Sequence, residues 1–204
     1  MISAHFLLTA LVVVLAPGTG VIYTLAVALG QGQRAAILAA LGCTFGIVPH
    51  LMAATLGLAA VLHTSALLFQ IVKFAGVAYL LYLAWQSLRS GGALSVTAES
   101  THQPGLAIAR RGALINILNP KLSIFFLALL PPFLSGAPAT ATFEMVLLGA
   151  IFMAMTFVVF VLYGSFASLA RSHILTRPGT MGWLNRGFAA IFASLGLRLA
   201  LERA

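Results

Sequence analysis

Six stretches of the chain, at positions 5–29, 37–62, 67–88, 112–134, 143–170 and 183–201, are apolar and almost free of charge. A helix needs about 20 such residues to cross the hydrocarbon core of a bilayer. Inside that core every backbone N–H and C=O must be satisfied within the protein, a condition a helix meets along its whole length. Only 7% of the residues are charged, against roughly a quarter in a soluble domain. The expected fold is therefore an all-α integral membrane protein with about six transmembrane helices, forming one domain over residues 1–204. Little chain remains for a soluble domain.

The few charges read as topology signals. Eleven Lys and Arg stand against three Glu, and there is no Asp. The basic residues are scattered rather than clustered, which argues against a nucleic-acid partner. Arg34 lies in the first connection, Arg89, Arg110 and Arg111 in or beside the third, and Arg171, Arg177 and Arg186 in or beside the fifth. The second and fourth connections carry none, so the odd connections are expected to face the cytoplasm and both termini the outside. Arg198 and Arg203 weigh against an external C-terminus. Trp85 and Trp183 fall at expected helix edges, where indole rings sit among headgroups. Residues 1–5 lack the basic region of a signal peptide, and the first apolar run is read as a true span. The single cysteine, Cys43, excludes an intrachain disulfide.

The polar stretch SGGALSVTAESTHQ at 90–103 divides the chain into halves of three spans each, so the second half must run inverted relative to the first. The expectation is a first repeat at 1–89, a cytoplasmic linker at 90–109 and a second repeat at 110–204. Each half opens with a helix interrupted by proline, at Pro17 and Pro120. Matching broken helices are a property of inverted-repeat carriers, although isolated prolines also kink membrane helices.

Lys121 stands near the middle of the fourth span, about 14 Å along it. A lysine at that depth costs roughly 2.5 to 3.5 kcal/mol on insertion scales. No Asp or Glu lies at comparable depth, so a substrate carboxylate is one partner for the amine; freed backbone carbonyls at a proline break are another. Asn119 before Pro120 has the form of an N-cap with proline at the first helical position, and a helix beginning there would aim unpaired N–H groups at an anion. Asn116, one turn earlier, adds an amide to that patch or bonds helix to helix. Pro17, Gly18, Thr19 and Gly20 permit an unwound segment in helix one, with the Thr19 hydroxyl available to a ligand or to broken backbone. His50, following Pro49, is either a proton carrier for an antiporter or a neutral histidine bonded between helices.

Other features read as structural. Lys73 is expected to be an interfacial anchor, and Glu144 a favourable charge near a helix N-terminus. Gly42 and Gly46 form a GxxxG pair suited to close helix packing and compatible with a homodimer. Tyr79, Tyr82 and Trp85 read as packing and interface belt. The chain has no phosphate-binding loop for ATP-driven transport and no HExxH zinc motif. Lacking Asp, it is not an aspartyl intramembrane protease. No enzyme activity, cofactor or bound metal is expected.

Taken together the motifs resemble the LysE/RhtB-type amino-acid exporters, whose members open with a Pro-Gly motif and carry Asn-Pro-Lys in the second half. Here these are Pro17-Gly18, within 16–19, and Asn119-Pro120-Lys121, which opens out into NILNPKLSIFFLALLPPF at 116–133. Further similar stretches are GQGQRAAILAALGCTFG at 30–46, followed by His50, and KFAGVAYLLYLAWQSLR at 73–89. The resemblance implies a multi-pass protein of the bacterial inner membrane, a secondary-active exporter of amino acids or related small solutes driven by the proton gradient. It departs at one point: many members read Pro-Gly-Pro and then an acidic or amide residue, where this chain has Thr19 and Gly20. A rival reading is a metal-ion exporter using Cys43 and His50, on one helix face; the lack of carboxylates and the charge of Lys121 count against it. Efflux of another small metabolite is a further alternative. On the carrier reading, Pro17, Gly18, Thr19, Asn116, Asn119, Pro120 and Lys121 form the translocation site, and His50 couples the proton. The partners are the solute and membrane lipid.

Overall fold

Proline and glycine punctuate the helices at the points the sequence marks. The computed structural model describes residues 2–16, 18–62 and 103–169, with isolated positions at Phe74, Ala78, Leu81, Tyr82, Trp85, Ala190 and Leu197. Outside the described residues lie Pro17, Lys73, Tyr79, Trp183, Arg89, Arg171, Arg177, Arg186, Arg198 and Arg203, most of the linker, and the third and sixth expected helices apart from those positions.

Helix α1, Ala4–Leu15, is capped by Ser3, whose hydroxyl accepts from Phe6 N at 3.1 Å. It stops where Ala16 turns extended at φ −62°, ψ 124°, because a residue before proline is driven out of the helical region. Helix α2, Thr19–Gln31, continues after Gly18 at a bend of 55°. Helices α3, Gln33–Phe45, and α4, Val48–Leu62, follow one another through a turn at Gly46 and Ile47. Pro49 has no N–H to give to the carbonyl four residues back, which accounts for that turn.

In the second half, α5, Gly105–Ile117, is followed by the short α6, Pro120–Ile124, and the bend between α5 and the Pro120–Phe133 segment is 52°. A π-turn at Phe125–Leu129 carries the chain on, with Leu130 N reaching Phe125 O at 3.0 Å. Helix α7, Pro138–Leu169, has 32 residues and so extends about 48 Å, more than the hydrocarbon core requires. Among the described residues, Gln33–Gly57 and Pro138–Leu169 are each long and apolar enough to cross a membrane, and each bent pair adds one further candidate span. The protein is all-α and multi-pass, as expected.

The core is aromatic where α7 meets the π-turn: Phe125 stacks on Phe152 at 4.2 Å, and Phe126 meets Phe152 edge-on at 5.5 Å. Exposed apolar side chains such as Phe45, Leu56, Phe143 and Phe166 suit a surface facing lipid. The Gly42–Gly46 pair is used inside the chain. A Cβ at Gly46 would stand 2.5 Å from the Ala113 carbonyl, and one at Gly42 would run into the Ala109 carbonyl. Backbones of α3 and α5 thus touch where only hydrogen fits, the small-residue packing that draws membrane helices together. At the mouth of α7, Glu144 accepts from Ser135 N (2.7 Å), Ser135 Oγ (2.6 Å) and Thr140 Oγ1 (2.6 Å). Glu144 therefore clasps the preceding loop as well as standing near a helix N-terminus.

Candidate functional site

The two bends lie against each other around one cavity of about 20 Å³, lined among others by Gly18, Gly20, Asn116, Asn119 and Lys121. That volume holds a water molecule but no amino acid, so this conformation is closed around its polar centre.

Lys121 bridges the bends. Its Nζ donates to Val13 O at 2.6 Å and to Ala16 O at 2.8 Å. Both acceptors are orphan carbonyls in the last turn of α1, left without helical donors because the helix stops before Pro17. Tyr163 Oη, on α7, donates to Leu15 O at 2.8 Å in the same turn. The cationic donor near the C-terminal end of α1 is also electrostatically favourable. The alternative partner anticipated for Lys121, freed carbonyls at a proline break, is therefore present, and the break belongs to the opposite half of the chain.

Asn119 behaves as the N-cap its sequence predicts. It is extended at φ −85°, ψ 106°, its Oδ1 accepts from Lys121 N at 3.1 Å, and Pro120 follows at the first helical position. Asn116 is 2% exposed. Its Nδ2 donates to Cys43 O at 2.8 Å, tying α5 to α3, while its Oδ1 receives a long contact of 3.4 Å from Asn119 Nδ2. That same Oδ1 would stand 2.6 Å from a Cβ at Gly20, and Phe160 Cε2 would stand 3.0 Å away. Gly20 is thus a position where a side chain would displace the amide. Thr19 is exposed and is not among the residues lining the cavity.

His50 lies one residue layer behind. Its Nε2 is 2.8 Å from the backbone carbonyl of Asn116, and its Nδ1 is 3.0 Å from Ser123 Oγ. A carbonyl only accepts, so Nε2 carries a proton, and Nδ1 faces the Ser123 hydroxyl as its acceptor. No group of three or more His, Cys, Asp or Glu is placed to hold a metal among the described residues.

A half-buried lysine bonded across two broken membrane helices agrees with the motif order, and comparison with known proteins decides the family. The family model for LysE type translocators matches residues 11–203. The chain belongs to the LysE-type translocator family. It is 31% identical over 199 residues to a homoserine/homoserine lactone efflux protein of Salmonella typhimurium, covering 97% of this chain and 95% of the relative. It is 30% identical over 203 residues to a leucine efflux protein of an Enterobacter species, covering 93% and 94%. An uncharacterized membrane protein of Vibrio cholerae is 32% identical over 200 residues, covering 98% and 96%. No solved structure matches the chain. The family places this translocator in a membrane as a multi-pass protein, and an inner-membrane location agrees with its bacterial relatives.

Sequence reasoning missed three contributors. Ser123 is two residues past Lys121 and would have been found by asking what faces His50. Tyr163 and Thr156 lie in the long apolar α7, whose near-uniform hydrophobicity hides which face turns inward; Thr156 also lines the cavity.

Proposed function

We propose that this translocator is a secondary-active exporter of amino acids, with the solute held between the two helix breaks and its carbonyl end received by Lys121. The observation that supports this most is the Lys121 amine on two carbonyls of the other break. A solute group that accepts from Nζ replaces Val13 O and Ala16 O, uncoupling the breaks as it binds. Chemically, homoserine, its lactone and leucine share an ammonium group on the carbon next to a carbonyl carbon; only the lactone lacks a free carboxylate. Reception by a hydrogen-bond donor serves all three. Gly18, Asn116 and Asn119 complete the site around that amine, with Pro17 and Pro120 as the breaks in the sequence and Thr19 outside the cavity at the start of α2.

The two halves, 1–89 and 110–204, form an inverted repeat about this site, joined by the linker at 90–109. The near-equal bends of 55° and 52° at corresponding prolines support it. His50 carries the coupling proton on Nδ1, and its bond to the Asn116 carbonyl ties protonation to the site.

The test is efflux from cells loaded with amino acids through dipeptides, with the proton gradient intact or collapsed. Gradient-dependent release of an amino acid is the expected result, and release of none overturns the reading. In His50→Gln the expected result is loss of gradient-driven efflux with solute exchange retained. Full gradient dependence in that variant would remove His50 from the coupling role.

A further inference from the structure

Resting on the exporter reading, we infer that Thr156 and Asn116, which line the cavity, form the subsite for the solute's ammonium group, and that the site takes neutral α-amino acids rather than basic ones. Thr156 is 3% exposed and lines the cavity from α7, between Phe152 and Phe160. The three are spaced four apart and so share one helix face. The Thr156 hydroxyl proton is committed to Phe152 O at 2.8 Å, which leaves the oxygen offering lone pairs. Asn116 turns its acceptor the same way: one of its amide protons goes to Cys43 O, and its Oδ1 takes the 3.4 Å contact from Asn119.

The cavity lining therefore brings together one cationic donor, Lys121, and two neutral acceptors. A group bearing an ammonium next to a carbonyl complements that set. The departure at Gly20 belongs to the same arrangement, since Asn116 Oδ1 fills the space that an acidic or amide side chain would occupy there.

Exclusion of basic side chains follows from charge. The chain has three Glu and no Asp. Glu144 is held at the mouth of α7 by Ser135 and Thr140, and among the described residues none that lines the cavity is acidic. A second cation on the solute would enter a low-dielectric site already holding the Lys121 cation, with no acidic side chain among the described lining residues to offset it. Phe152 and Phe160 instead present apolar walls to the side chain.

The experiment is counterflow of labelled leucine and homoserine by the full-length protein in liposomes, with unlabelled competitors. Leucine should compete about tenfold or more better than its 2-hydroxy analogue, which keeps the carboxylate and lacks the ammonium. In Thr156→Val that gap should collapse because leucine weakens while the analogue does not, and Thr156→Ser, which keeps the acceptor, should restore it. A gap unchanged in Thr156→Val overturns the subsite. Lysine competing as well as leucine overturns the neutral-solute restriction. Counterflow of neither amino acid by the wild type overturns the exporter reading and the subsite with it.

Discussion

The break at Ala16–Gly18 and the break at Leu118–Asn119 bend their helices by nearly the same angle, yet they solve the problem of unsatisfied backbone in opposite ways. The second break caps its new helix from within, Asn119 bonding α6 with its own side chain, while His50 from the other half meets the Asn116 carbonyl. The first has no polar side chain of its own at the stop, and its carbonyls are met by Lys121 and Tyr163 from the other half of the chain. The difference teaches what ties α1 to the second half. A helix start capped by its own Asn keeps that cap when it moves, whereas carbonyls capped from outside are held only as long as their donor stays. Lys121 is the shared element, and anything that claims its amine acts on α1.

Substitutions rank by how directly they cut that link. Lys121→Met leaves Val13 O and Ala16 O without their donor, at about 1–3 kcal/mol for each buried group. Efflux in correctly inserted protein should be lost and thermal stability in detergent should fall. Export at the wild-type rate would break the comparison. Gly20→Leu comes next, since its side chain must displace Asn116 Oδ1 and Phe160. Overpacking of this kind costs about 1–3 kcal/mol, and efflux should drop severalfold even where insertion is normal.

Asn119→Ala removes the cap of the second break and should cost about 1 kcal/mol, read as a lower melting temperature with efflux reduced less than in Lys121→Met. An effect as large as that of Lys121→Met would mean that the two breaks are not so differently held. Tyr163→Phe removes one bond to Leu15 O, worth about 0.5–1.5 kcal/mol. Its expected signature is a small loss of stability with efflux retained, which sharpens the assignment of Lys121 as the main link.

Much of this was open to sequence reasoning because the bilayer simplifies the problem. A solvent that offers no hydrogen bonds turns apolar length into a span, and proline into a break, without reference to the rest of the fold. The bends at 16–18 and 118–119 and the cap at Asn119 all follow from neighbours within a few residues. The acceptors of Lys121 did not, because Val13 and Ala16 are 108 and 105 residues away and their carbonyls exist in every residue alike. No side-chain pattern can mark a backbone acceptor at that separation.

The same limit divides the remaining residues. Gly42 and Gly46 announced close packing, but that α5 is what they pack against was decided by how the halves meet. His50 announced a titratable ring in the membrane, while its placement between the Asn116 carbonyl and Ser123 needed α4 laid beside α6. Thr156 carried no signal at all, since a lone threonine in a uniformly apolar helix is inward or outward only by virtue of its neighbours. Sequence alone determined the membrane class, the broken helices and the cationic centre, because each rests on local backbone chemistry or transfer from water. Tertiary structure decided which carbonyls meet that centre and which hydroxyls line its cavity, because those depend on contacts between halves that no local propensity encodes.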